Sequence, residues 1–270
     1  MNLNIEDKPK PKVNLVELLE NSQIKPEQKY NKPPVAMIIN ENYKTKDLLT
    51  LGNFSIIKGD EGTKKTMLAS VIFSAFNNKK TKGNIYNLQA LKTGLNIYID
   101  TEQSDYHVWS VSKRISNLCN NNNSEFMIFA LREFETSLRL EMIEQLFKNF
   151  GSKINYVVID GIVDLIMDIN NYSEATILRD KFMKITKENN CHISFIIHNN
   201  RSISKAMGHI GAIFEKKCET IFNLKDGANN YTTVENAKKR GAAKFKDFYI
   251  YFDEQHRLPV ITDKIENEMF

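Results

Sequence analysis

Cysteine is scarce in this chain. Cys119, Cys191 and Cys218 stand far apart and form neither a CxxC pair nor a zinc-ligand spacing. A disulfide scaffold and a zinc finger are therefore not encoded, and reduced thiols are expected. No apolar run approaches the ~20 residues needed to span a bilayer. The N-terminus has no apolar signal core. The expectation is a cytoplasmic protein with no membrane partner. An excess of one charge is also missing: the net charge is only +4, so there is no global polycation, and any nucleic-acid site must be a local patch. No internal repeat is visible, and the only low-complexity stretch is the asparagine run 120–123. No aromatic-rich platform for single strands is evident.

What is present is enough for a core. The 270 residues are 41% hydrophobic, which suits one α/β domain of about 220 residues plus an appendage. Residues 1–35 read as a flexible arm. It begins with the polar, Lys- and Pro-rich run Lys8-Pro9-Lys10-Pro11-Lys12 and holds a short amphipathic helix over Val13–Asn21. That helix either folds back on its own domain or docks on a neighbouring subunit. The domain proper is expected over 36–262, and 263–270 form a tail.

Within the domain, short β-branched apolar runs alternate with helical patterns. Strands are expected at 36–39, 54–57, 94–99, 126–130, 155–159 and 192–197, and helices at 65–77, 106–118, 137–149 and 173–189. Such alternation signals a mainly parallel β-sheet covered by helices on both faces. Later segments at 220–224, 231–234 and 248–252 read as antiparallel strands in hairpin or meander style.

The segment Ile56-Ile57-Lys58-Gly59-Asp60-Glu61-Gly62-Thr63-Lys64-Lys65-Thr66 carries the most chemistry. It is one residue away from G-x-x-x-x-G-K-[ST], the nucleotide-binding P-loop, because Lys64 stands where the second glycine is expected. A strand-to-helix turn of this kind aims backbone N–H groups and a helix N-terminus at a phosphate. Gly59, Asp60, Glu61, Gly62, Thr63, Lys64, Lys65, Thr66 and Met67 would form the cradle. Lys65 would reach the β- and γ-phosphates of ATP, and the Thr66 hydroxyl would ligate Mg2+. The Cβ of Lys64 would crowd the phosphate side, or its charge would add to the cradle; the sequence leaves both open. A lysine-rich turn without a ligand has the same letters.

Further polar residues stand where strands end, the place where open α/β sheets bind ligands. Asp160 follows Tyr156-Val-Val-Ile159, a buried strand that can hold one carboxylate beside Mg2+, although a strand-ending Asp is also a common helix cap. Glu102 lies just beyond Ile97-Tyr-Ile-Asp100-Thr101 and could activate water as a general base, with Asp100 as the rival. His198 ends another strand and could sense the γ-phosphate or be satisfied by backbone. The following loop offers Arg201, Lys205 and His209 to nucleic-acid phosphates. Lys238 and Arg240, two apart in a basic run, would share one strand face. They are either a solvated edge or an arginine-finger-like pair entering a neighbour's site.

Taken together, these segments resemble the RecA-like P-loop ATPase core over residues 36–262, in the manner of the RepA- and DnaB-type hexameric ATPases of bacterial mobile elements and phages. Asn96-Ile-Tyr-Ile-Asp100-Thr-Glu102-Gln-Ser resembles the strand ending at the catalytic glutamate, and Val157-Val-Ile-Asp160-Gly161 the Walker B strand. Ile196-Ile-His198-Asn199 is similar to the γ-phosphate sensor segment, and Lys205-Ala-Met-Gly208-His209-Ile210-Gly211 to the DNA-facing loop. Lys238-Lys-Arg240-Gly-Ala-Ala-Lys-Phe-Lys246 is similar to the segment that enters the neighbouring active site. The resemblance implies a homo-oligomeric (ring or filament), Mg2+- and ATP-dependent helicase or translocase acting on single-stranded DNA, with Glu102, Lys65, Lys238, Arg240 and His198 as catalytic residues. Two other readings stand beside it: a nucleotide-gated scaffold on DNA or protein with little turnover, and a KaiC-like regulatory ATPase without DNA. The family's helical N-terminal domain does not fit in 35 residues.

Overall fold

The computed structural model describes residues 14–41, 44–78, 84–85, 87–119, 126–200, 203–206, 208–227 and 230–263, with backbone alone for 84–85, 200 and 203–206. The chain divides into two compact units, Met1–Lys32 and Pro33–Phe270. The first contains helix α1 (Leu15–Ser22), started by Asn14, whose side-chain oxygen accepts from the N–H groups of Val16 and Glu17. None of its residues is buried.

The second unit is α/β. In chain order it contains β1 (Val35–Glu41), β2 (Lys44–Thr50), β3 (Asn53–Gly59), α2 (Lys65–Asn77), β4 (Asn84–Ile85), β5 (Leu88–Ala90), β6 (Leu95–Asp100) and α3 (Asp105–Leu118). Then follow β7 (Phe126–Ala130), α4 (Thr136–Phe150), β8 (Ile154–Asp160), α5 (Tyr172–Asn189), β9 (His192–Asn200), β10 (Ile203–Ala206) and α6 (Gly208–Lys217). The chain closes with β11 (Thr220–Asp226), β12 (Thr232–Lys239), β13 (Phe248–Asp253) and β14 (Leu258–Thr262).

The large sheet runs β14-β13-β12-β11-β3-β9-β8-β6-β7, and β10 pairs with β9. The block from β11 to β7 is parallel, and the last four strands are joined antiparallel. A second sheet, β2-β1-β5-β4, is antiparallel. Sequence patterning gives no sign of β2, because Lys44-Thr-Lys-Asp-Leu-Leu-Thr50 is half polar. β2 is an edge strand, where charge is tolerated and keeps the edge from pairing with other chains.

Period-2 alternation explains why the parallel strands read as continuous apolar runs. Along β8, Tyr156 and Val158 join one core cluster with Leu68, Ile72 and Phe73 of α2 and Val111 and Ile115 of α3. Val157 and Ile159 join another with Ile143 of α4, Leu178 and Phe182 of α5 and Phe214 of α6. Both faces are covered, so neither needs polar residues. Full burial of each such side chain is worth about 1.5–3 kcal/mol.

The distribution of helices fixes where a ligand can sit. α2 and α3 cover one face, and α4, α5 and α6 the other. The chain leaves β3 through α2 toward β6 but leaves β9 through α6 toward β11, in the opposite direction across the sheet. The connections that follow the adjacent strands β3 and β9 thus leave for opposite faces, which makes their carboxyl ends a topological switch point, the usual ligand position in an open α/β sheet. The connections after β6 and β8 part in the same manner, through α3 and α5.

Candidate functional site

The strand register brings the polar strand ends together at these switch points. Gly59 of β3 pairs with His198 of β9, and Asp100 of β6 pairs with Asp160 of β8. The loop after Gly59 delivers Lys65 and Thr66 as the first residues of α2. The first N–H groups of a helix have no intrahelical acceptor, so this terminus favours an anion.

Lys65 is buried, and its Nζ donates to the carbonyls of Gly59 (3.1 Å) and Asp60 (2.6 Å), so the loop curls around it. Burial lowers its pKa, and the carboxylates of Asp160, Glu102, Asp60 and Glu61 oppose that shift. The Thr66 hydroxyl donates to Asp160 Oδ2 at 3.0 Å, and the Tyr98 hydroxyl donates to the same oxygen at 2.9 Å. Burial, reinforced by Asp100 and Glu102, pushes the Asp160 carboxyl up to about 7, against the pull of the Tyr98 and Thr66 hydrogen bonds. A buried carboxylate crowded by like charges is stabilised by a cation.

Asp100 and Glu102 take different roles. Asp100 is fully buried, and its Oδ1 accepts from the N–H groups of Glu102 (3.0 Å) and Gln103 (2.8 Å). Its Oδ2 accepts from Gln103 Nε2 at 2.7 Å, so its carboxylate builds the turn. Burial raises its pKa, and these bonds counter the rise. Glu102 turns outward instead. Its Oε2 lies 3.2 Å from His198 Nε2, with each side chain about 30% exposed (30% and 29%) and so accessible to solvent.

Gly161, directly after Asp160, has φ +98°, and a Cβ there would fall 2.3 Å from Thr101 Oγ1, 2.6 Å from Glu102 Cγ and 2.8 Å from Asp164 Oδ2. Gly161→Ala is therefore expected to displace Glu102 and to cost about 1–3 kcal/mol of stability. Denaturant titration should show the loss, and a variant as stable as the wild type would refute the close packing.

Asp160 also sets a pH dependence. Its proton is held more tightly in the folded chain than at the ordinary 3.8, so its contribution is complete at low pH and is lost as pH rises to about 7. The buried His192 works the other way. Burial moves it from 6.5 down to about 4, so its contribution is present above 6.5 and is lost as pH falls. Asp160→Asn removes only the first effect. Without Mg2+ or nucleotide, the variant's Tm should gain on the wild type between about pH 4 and 7. A constant Tm difference across that range would contradict the assignment.

Among the described residues, no group of three or more His, Cys, Asp or Glu could hold a metal ion by itself. The donors at hand are one hydroxyl and one carboxylate beside a helix N-terminus. They fit Mg2+, which is commonly bound through one or two carboxylates together with substrate phosphates.

Not every sequence candidate joins this cluster. Lys238 on β12 donates to the carbonyl of Glu215, and Arg240 to those of Lys216 and Lys217, so both cap the C-terminus of α6. Lys238 pairs with Ile221, which pairs with Ile56, three residues before Gly59 and so roughly 10 Å down the sheet from the P-loop. Cations at a helix C-terminus complement its dipole. Within one subunit the pair is thus committed to α6. Of the nucleic-acid candidates, Arg201 lies outside the described residues, as does the side chain of Lys205. His209 is exposed near the start of α6, its ring 6.1 Å from that of Tyr172.

Sequence reading passed over one exposed cluster. Tyr106 and Trp109 of α3 lie with ring centroids 5.8 Å apart, and Lys113 Nζ is 5.6 Å from the Trp109 ring centroid. Their i, i+3, i+7 spacing on the expected helix was the available signal. No helix of the described residues is long and apolar enough to cross a membrane. A scan against protein-family models finds no match to this chain, and neither does a search of curated proteins.

Proposed function

We propose that the chain is a RecA-like, Mg2+-dependent ATPase that works as a homo-oligomer on single-stranded DNA, as a helicase or translocase. The observation that carries the nucleotide half of this reading is the contact between Thr66, first turn of α2, and Asp160, end of β8, with Lys65 and the Glu102–His198 pair beside it. Lys65 would donate to phosphate oxygens. Thr66 and Asp160 would hold Mg2+, which neutralises phosphate charge when bound. Glu102 would take the proton of the attacking water, and His198, hydrogen-bonded to it, would link the γ-phosphate to the segment after β9. The DNA half rests on the resemblance and on Arg201, Lys205 and His209 following that segment.

A second reading, a nucleotide-gated scaffold with little turnover, is favoured by one observation. Lys238 and Arg240 are engaged on α6 and would have to leave it to serve a neighbour. Steady-state ATPase assays of the wild type, Lys238→Ala and Arg240→Ala separate the two. A working trans pair predicts a loss of about 10³-fold or more for Arg240→Ala at unchanged ATP affinity. Similar rates in all three chains would leave the pair as a helix cap.

A further inference from the structure

The residue that breaks the P-loop pattern has a conformation of its own. Lys64 sits at φ 62° and ψ 27°, the left-handed region, at the N-cap of α2. That region costs an L-residue with a side chain free energy that glycine does not incur. Gly62, two residues earlier, is also left-handed at φ +84°, and there the loop uses a glycine. The Lys64 side chain makes no capping bond. Its Nζ instead donates to Thr232 Oγ1 at 3.1 Å, on the first residue of β12, which is fully buried. The main chain of Lys64 is engaged as well: its N–H donates to the Gly62 carbonyl at 2.8 Å, and its own carbonyl accepts from Leu68 at 3.0 Å.

Strain of this kind persists only where surrounding contacts hold it. We propose that Lys64 is a positioning residue whose side chain, tied to Thr232, holds the P-loop in the left-handed turn that a glycine would adopt unaided. The tether substitutes for the missing glycine. It also directs the Lys64 ammonium to β12, which leaves Lys65 as the lysine of the cradle. The proposal deepens the nucleotide-binding reading and rests on it for its affinity measurement alone.

The substitutions that test it have different expected outcomes at one position. Lys64→Met keeps the Cβ and its strain but loses the donor, so the loop leaves the turn and binding must restore it, which weakens the apparent affinity by the fraction displaced. Thr232→Val removes the acceptor with the same consequence. Lys64→Gly loses tether and strain together. With the full chain, Mg2+ and a non-hydrolysable ATP analogue titrated by calorimetry, Lys64→Met and Thr232→Val should each raise Kd about tenfold. The double variant should be no weaker than either single one, the signature of one shared interaction. Lys64→Gly should stay within about twofold of the wild type. Amide exchange of residues 62–66 without nucleotide should be faster in Lys64→Met and Thr232→Val than in the wild type.

Equal weakening by Lys64→Gly and Lys64→Met would overturn the proposal, because the side chain would then act on the ligand directly. Additive effects of Lys64→Met and Thr232→Val would overturn it too, as would unchanged exchange in both. A wild-type chain that binds no analogue but shows the expected exchange pattern would sink the nucleotide reading and keep the tether.

Discussion

Glu102→Gln is expected to abolish ATP turnover while leaving Mg-ATP binding near wild type. Glutamine has nearly the shape of glutamate but cannot take a proton. The loss should be about 10²- to 10⁴-fold in kcat, the usual share of general-base catalysis. On the proposed reading the role falls to Glu102 rather than Asp100, because both Asp100 oxygens are occupied by Glu102 and Gln103, whereas Glu102 is partly exposed and hydrogen-bonded to His198. Asp100→Asn should behave differently. It disturbs the turn, so it should lower stability along with activity. A Glu102→Gln enzyme with wild-type kcat would remove Glu102 from the mechanism.

Lys65→Met is expected to have a comparably large effect on binding. Lys65 is the cation set among Asp160, Glu102, Asp60 and Glu61. Without it, a bound phosphate would lose its charged donor and meet these carboxylates instead. Hydrogen bonds to charged groups are worth about 1.5–3 kcal/mol each, so losing two would raise Kd by a factor of about 10² or more. Equilibrium titration with Mg-ATP reads this directly. The contrast with the neighbouring position is a useful control: Lys64→Gly should bind almost normally, although it also removes a lysine from the loop. Equal losses at 64 and 65 would mean that the two lysines share the phosphate.

Much of the architecture was legible because it follows from burial. Strands covered on both faces, such as Ile154–Asp160 with all seven residues buried, must be written as apolar runs. Polar residues ending such runs then mark the rim of the sheet, where Asp160 and His198 stand. The small sheet was not legible beyond Ala36–Ile39. β5 has three residues and β4 two, and β2 carries Lys44, Lys46 and Asp47 on an edge, so neither length nor periodicity sets them apart from loops. The site was legible as letters but not as contacts. The spacing of Lys238 and Arg240 correctly puts them on one side, yet only the fold reveals that α6 ends within their reach. Lys64 is the clearest case. From sequence it is a defect in a motif with two open consequences, and its Thr232 partner lies 168 residues away. No local pattern encodes such a pairing, because it depends on β12 being laid beside β11, which in turn pairs with β3.

The most direct test of the central claim is ATP hydrolysis by the purified chain with Mg2+, with and without single-stranded DNA, alongside oligomer mass by light scattering. The account predicts Mg2+-dependent turnover by an oligomer, raised severalfold by single-stranded DNA and lost in Glu102→Gln. Absence of Mg-ATP binding, or turnover that survives both Glu102→Gln and Lys65→Met, would contradict it.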